Sequence, residues 1–274
     1  RSTANTHRLF TGTTPFGLIV EDWARSRGIV PGPENLQGEF YARPYAQSEN
    51  YYLTGLIDWD IGGGYVVSSA TSYRSVETRG QMDPFTTSSP LLHLERLSND
   101  ETYDQFTQEL RIASPTDRPL SFVAGLFYYQ FDVTDVQNQE FFGLVQPGIS
   151  QFHRINTVTD KLRNIAAFGE LTFNVTPSLR LIGGLRVSND RTSASFNRER
   201  VGTDVGVIPP NVSPFSYTPD EIDYDAVSYR LGAQFDIAPD VMLYATASRG
   251  YKGPGFNLTQ SITPGAIVND ARVD

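Results

Sequence analysis

The sequence predicts an all-β chain: an antiparallel meander of about eight strands joined as hairpins. Three observations carry that expectation. Four short turn signals, "DIGGG" near Asp60, "SPTDRP" near Pro115, "VTPS" near Pro177 and "APD" near Pro239, recur about every 55 to 62 residues between apolar, β-rich runs. Much longer polar stretches, over residues 77–100, 137–158 and 197–222, separate them. Within the runs apolar and polar residues alternate with the period of a strand, and Leu-rich helical periodicity is nearly absent.

Residues 1–49 carry no strand pattern and are read as a loop or irregular segment. Within them Thr14 can cap a short helix that starts at Pro15. Hairpins are expected over 50–257, with strands at 50–59 and 64–77 on either side of "DIGGG", and at 101–113. In this third strand Phe106, Leu110 and Ile112 oppose Gln105, Thr107, Glu109 and Arg111. The fourth, 120–136, is apolar on both faces. Strands at 157–175 and 179–196 flank "VTPS", and the latter sets Leu181, Gly183, Leu185 and Val187 against Arg180, Arg186, Ser188 and Asp190. In 223–237, Val227, Tyr229, Leu231, Ala233, Phe235 and Ile237 oppose Ser228, Arg230, Gly232, Gln234 and Asp236; a strand at 241–252 follows, and 258–274 is read as an outer loop.

Composition narrows the class. No cysteine is present, which excludes disulfides and thiolate metal sites, and a net charge of −9 argues against a nucleic-acid partner. The uncharged stretch from Pro119 to Phe131 falls short of the roughly 18 apolar residues of a membrane helix. The chain opens "RSTANTHRLF", with neither Met nor an apolar signal core, and closes "NDARVD"; it is expected to be a piece of a longer protein.

Alternation alone also suits a soluble β-sandwich, a carbohydrate-binding one included. Two features favour a membrane barrel instead. The expected strands exceed the usual mode of about 5 or 6 residues, and short turns alternate with long loops in step with strand direction. A third sign is the set of rings at or near expected strand ends: Tyr51, Trp59, Tyr65, Tyr73, Tyr103, Tyr129, Phe173, Phe196, Tyr224, Tyr244 and Tyr251. Such rings settle at the two interfaces of an apolar belt.

No catalytic or metal-binding pattern emerges. His7, His93 and His153 lie tens of residues apart without metal spacing, and no G-x-S-x-G elbow occurs. Asp58 and Asp60 flank a turn, where solvating or shaping it is their expected role. "SRGYKGPGFN", Ser248 to Asn257, looks like a phosphate loop but has Gly253 where Ser or Thr must follow Lys252, and no helix follows. An enzyme, a cofactor and a metal centre are therefore not expected.

Four stretches, taken in order and spacing, resemble the TonB-dependent outer-membrane receptors, in particular the barrels of ferric-siderophore receptors. They are "FTQELRIAS", "LSFVAGLFYYQF", "AAFGELTFNVTPSLRLIGGLRVSND" and "SYRLGAQFDIAPDVMLYATASRGYKGPGFN", between Phe106 and Asn257. The resemblance implies a transmembrane barrel of about 22 strands, of which this chain carries about eight, with an N-terminal plug that this chain lacks. It implies the outer membrane of a Gram-negative bacterium, lipid around the barrel, a TonB complex that supplies energy through the plug, and import of a scarce large ligand such as an iron–siderophore complex. A passive porin is the alternative, lacking plug and TonB box.

On this reading Glu109, Arg111, Glu170, Arg186, Asp190 and Arg230 face the lumen, where they can hydrogen-bond the plug. Ligand candidates sit in the expected outer loops: Phe152 and His153, near Phe141 and Phe142, and Phe215 and Tyr217, whose rings can stack on an aryl ligand or pack the loops against one another.

Overall fold

The computed structural model describes residues 22, 24–30, 43–82, 95–145 and 148–256. The helix expected at Thr14 and Pro15, His7, His93 and the segment 258–274 lie outside the described residues. The eight expected strands are all there, as β1 (Tyr45–Gly62), β2 (Tyr65–Met82), β3 (Glu95–Ala113), β4 (Leu120–Val145), β5 (Gly148–Thr176), β6 (Leu179–Arg200), β8 (Ile222–Ala238) and β9 (Val241–Arg249). A short ninth, β7 (Phe215–Tyr217), was not expected; it pairs with the end of β6.

All pair antiparallel in one sheet of order β1-β2-β3-β4-β5-β6-β8-β9. No second sheet packs on it among the described residues, so the sandwich arrangement is absent. Each strand hydrogen-bonds its sequence neighbour because the connections at one end are tight. Gly62, Gly63 and Gly64 turn with φ of 93°, 64° and 81°, values that favour glycine, while Asp60 Oδ1 accepts the Gly62 N–H at 2.8 Å. In the β5–β6 turn Thr176 Oγ1 accepts the Leu179 N–H at 3.0 Å.

Period-2 geometry sorts the side chains. Residues directly opposite in the register share a face, so Ser69, Leu110, Leu126, Ala167, Val187 and Val227 form one row, and Phe122, Leu171, Gly183 and Leu231 another. This face is apolar and uncovered: Leu53, Leu126 and Leu185 are 72%, 61% and 53% exposed. Its one amide in the row above Leu110, Gln108, is satisfied by Thr71, Ser69 and the Glu109 carbonyl. On β5, β6 and β8 the face is apolar through Ile165–Phe173, Leu179–Val187 and Val227–Phe235, then turns polar at Arg163, Asn189 and Asp225. Spans of that length run about 26 Å along a strand. At a tilt of about 40° they cover about 20 Å, close to the roughly 25 Å belt of a membrane barrel.

Two expectations change. The stretch 137–158 is not a long loop: β4 and β5 stay in register up to Val145↔Gly148, a hairpin reaching about 50 Å along the strands beyond the belt. The ladder bonds backbone to backbone, so the polar side chains there do not interrupt it. The aromatic girdle is also partly reassigned. Tyr51, Trp59, Tyr73 and Phe173 lie on the apolar face with Phe106, Tyr128 and Tyr229, whereas Tyr103, Tyr129, Phe196, Tyr224 and Tyr244 lie on the polar face, since register parity rather than nearness to a strand end decides.

Candidate functional site in the polar face

Glu109, Arg111, Glu170, Arg186, Asp190 and Arg230 all project from the face opposite the apolar belt. They form local pairs rather than one centre. Glu170 on β5 and Arg230 on β8 meet at 3.4 Å across the intervening strand. Gly184, which stands between them in the register, makes that reach possible: a Cβ there would come within 3.2 Å of Glu170 Oε2. Glu109 and Arg111 approach only to 3.9 Å.

Arg186 and Asp190 belong to a tighter group. The Arg186 guanidinium lies 4.9 Å from the Phe127 ring centroid and 5.9 Å from that of Phe168. It donates from Nη2 to Asn164 Oδ1 at 3.3 Å and from Nε to Ser188 Oγ at 3.2 Å. Asn164 donates its amide to Asp190 Oδ1 and to the Tyr251 hydroxyl. Gly125 is required here, because a Cβ would sit 2.6 Å from Phe168 Cζ and 2.8 Å from the Leu110 carbonyl oxygen.

The glycine-rich stretch after β9 completes this group. The strand expected to reach Lys252 stops at Arg249, and the chain then lies over the polar face. Tyr251 packs on Tyr224 at 6.3 Å, and Gly253 lies so close to Asp190 that a Cβ would be 3.0 Å from its Oδ2. Lys252 itself is exposed.

Beyond the belt, residues 201–221 fold back over the same face of the β5–β6 extension. The Val205 backbone exchanges hydrogen bonds with Gln151, and Ser150 Oγ donates to the Val207 carbonyl at 2.6 Å. Arg154, 0% exposed, is the anchor: its two terminal nitrogens donate to the Asp204 carboxylate at 2.7 and 2.8 Å. Its Nε donates to the Val212 carbonyl. Hydrogen bonds from Arg154 hold the Asp204 carboxyl below the usual carboxylate range. Beside it, burial and the Arg154 charge push the Arg198 guanidinium down; Arg198 donates to Asn156 Oδ1 at 2.7 Å and covers the Phe196 and Phe215 rings. Burial pushes the Asp160 carboxyl up.

The four outer candidates fall on this subdomain. Phe152 is 5% exposed, stacked on Phe141 at 4.9 Å and covered by Arg154. His153 bonds Asn138 across β4–β5. Phe215 packs on Phe196 at 5.0 Å, and Tyr217 stands opposite Phe196 in the β6–β7 pairing. Phe152 and His153 lie in β5 and Phe215 and Tyr217 in the short β7, so all four are strand residues, not loop residues. Arg154, Asn156, Asn164, Arg198 and Asp204 were missed; the signal for the first four was the even-numbered parity that Arg186 and Asp190 already obey, extended up each strand.

Similarity to known proteins follows the same outline. A family model described as TonB dependent receptor-like, beta-barrel, matches residues 2–271. The pesticin receptor of Yersinia pestis is 26% identical over 159 residues, covering 58% of this chain and 21% of that protein. The pesticin receptor of Yersinia enterocolitica matches at the same identity and coverage. The chain thus spans about a fifth of the length of these curated relatives. Among solved structures, the ferric yersiniabactin uptake receptor FyuA from Yersinia pestis superimposes with a TM-score of 0.60 at 20% identity, covering 79% of this chain and 30% of that one. With nearly its whole length matched and its strands paired as an open meander with one lipid-type face, the chain belongs to the TonB-dependent receptor β-barrel family.

Proposed function

We propose that this chain is the barrel segment of an energy-coupled importer in the outer membrane of a Gram-negative bacterium, and that its ligand is a scarce, large complex of the iron–siderophore class. The observation that carries the reading is the asymmetry of the sheet. One face is a bare apolar belt for lipid, and the other is polar, buried most deeply where residues 201–221 and 250–256 cover it. Family membership and the likeness to a ferric siderophore uptake receptor supply the ligand class.

The polar face lines the lumen in this reading. Glu109, Arg111, Glu170, Arg186, Asp190 and Arg230 offer a plug exchangeable charged hydrogen bonds, which suit a domain that must shift during transport better than a sealed apolar contact does. Transport makes and breaks no bond, so no catalytic group is needed. Ligand contact falls to the outer subdomain around Phe215 and Tyr217, since the Phe152 ring is spent on packing between Phe141 and Arg154 and His153, of odd parity on β5, stands on the opposite face.

The test is uptake of an iron-loaded siderophore by cells carrying the full-length protein, with and without a functional TonB system. Uptake that vanishes without TonB supports the coupled importer. Equal entry in both strains would leave a passive pore. Replacing Arg186 and Arg230 together by Ala should change plug protease sensitivity; unchanged sensitivity and uptake would remove the plug contact.

A further inference from the structure

Residues 201–213 cross the polar face between the end of β6 and β7, and since β7 pairs with β6, both ends of this strap are fixed to one strand. Arg154 clasps it from β5 at two points: its terminal nitrogens donate to Asp204 and its Nε to the Val212 carbonyl. Gly202 and Gly206 bracket Asp204 with φ of 71° and 78°. A Cβ on Gly202 would meet nothing within 4 Å, so backbone conformation, not crowding, asks for glycine there. The carboxylate therefore sits between two hinge positions.

Charge under the strap is unequal. Arg200 stands opposite Arg154 in the β5–β6 register and Arg198 stands diagonally, opposite Asn156, so three guanidiniums share this side of two strands. Among the described residues Asp204 is the one carboxylate paired with Arg154. Glu199 projects from the other face, and Asp135 of β4 stands opposite Val158, four residues further down β5. Rings surround the cations: Phe152 lies under Arg154, and Phe196 and Phe215 lie under Arg198, with Tyr217 opposite Phe196.

A buried ion pair holds a loop no better than well-packed apolar side chains of similar volume. It differs in being exchangeable, because a guanidinium accepts any carboxylate that reaches it in the same paired geometry. We propose that residues 201–213 form an autoinhibitory strap in which Asp204 is a built-in counter-ion on Arg154, and that an aromatic ligand bearing a carboxylate opens the strap by taking the place of Asp204. Lifting the strap leaves β7 on β6, so Phe215 and Tyr217 stay beside the guanidiniums that the ligand meets. The inference rests on the importer reading and names how its outer site opens.

The test uses the full-length receptor in mild detergent, with benzoate as the probe and benzamide as its uncharged counterpart. Heat-modifiable migration on gels checks that each variant is folded. A closed strap scales affinity down by the fraction that is open, so Asp204→Asn should tighten benzoate at least about tenfold in titration calorimetry and leave benzamide within about twofold. Asp204→Glu, which keeps the carboxylate, should bind as wild type does, and adding Arg154→Gln to Asp204→Asn should remove the gain. In the wild-type receptor saturating benzoate should speed exchange of the Val205 amide about tenfold, and benzamide should not. Equal benzoate affinity in wild type and folded Asp204→Asn overturns the strap. So does an equal gain for benzamide, a gain that survives Arg154→Gln, or benzoate binding that leaves Val205 exchange unchanged. Iron–siderophore uptake that is the same without TonB would instead sink the importer reading, since none of these binding measurements depends on transport.

Discussion

Asp204→Ala should release residues 201–221 from the hairpin they cover. Arg154 is fully buried, and Asp204, whose side chain is 18% exposed, is its sole carboxylate partner among the described residues. Removing one member of a buried ion pair strands the other charge, at a cost of about 3–5 kcal/mol. Arg154 keeps two carbonyl acceptors, Val212 and His153, so the lower figure applies. About 3 kcal/mol corresponds to about a hundredfold rise in the open population of the loop, at about 1.4 kcal/mol per decade. Hydrogen exchange of the Val205 amide, which is bonded to the Gln151 carbonyl, reads that population directly in the full-length protein. Exchange within about threefold of wild type would refute the reasoning, since a buried guanidinium without its counter-ion must register somewhere.

The same pair sets a pH signature. Arg154 depresses the folded-state pKa of Asp204, so the contribution is present above the unfolded value and lost as pH falls through the depressed one. Protection of the loop should therefore be flat from neutral pH down to about 5 and fall only below about 4. Asp204→Ala should abolish that acid step.

Two further outcomes follow from the sheet itself. Gly125→Ala forces a Cβ to 2.8 Å from the Leu110 carbonyl, a backbone atom that cannot swing aside, so overpacking of about 1–3 kcal/mol should lower the temperature at which the folded barrel unfolds on gels; an unchanged temperature would show that the neighbouring strand yields freely. Residues 1–274 alone should aggregate without detergent, because among the described residues β1 and β9 leave unpaired edges beside a bare apolar face. A monodisperse, β-rich, detergent-free preparation would contradict that.

Much of this architecture was legible in the residues. "DIGGG" and "VTPS" marked tight turns because glycine tolerates positive φ and Thr176 bonds its own turn, both properties of a few adjacent residues. Alternation along "VSYRLGAQFDI" assigned Val227 to one face and Arg230 to the other, since the strand period needs no partner to be read. Family membership could be recognised for the same reason: the repeated turn and strand pattern is local.

What crossed between strands was decided only by tertiary structure. Polar composition over 137–158 suggested a loop, yet β4 and β5 bond residue by residue to Val145, because a ladder depends on the partner's backbone and not on side-chain polarity. Nothing near Arg154 in the chain announces Asp204, fifty residues on, which satisfies its charge. The glycines after Arg249 likewise spelled an ending but not a destination; the short approach of Gly253 to Asp190 exists only because β6 and β8 hold that carboxylate under the returning chain. Side-chain period is written in one strand, whereas burial and pairing require the neighbours that folding brings.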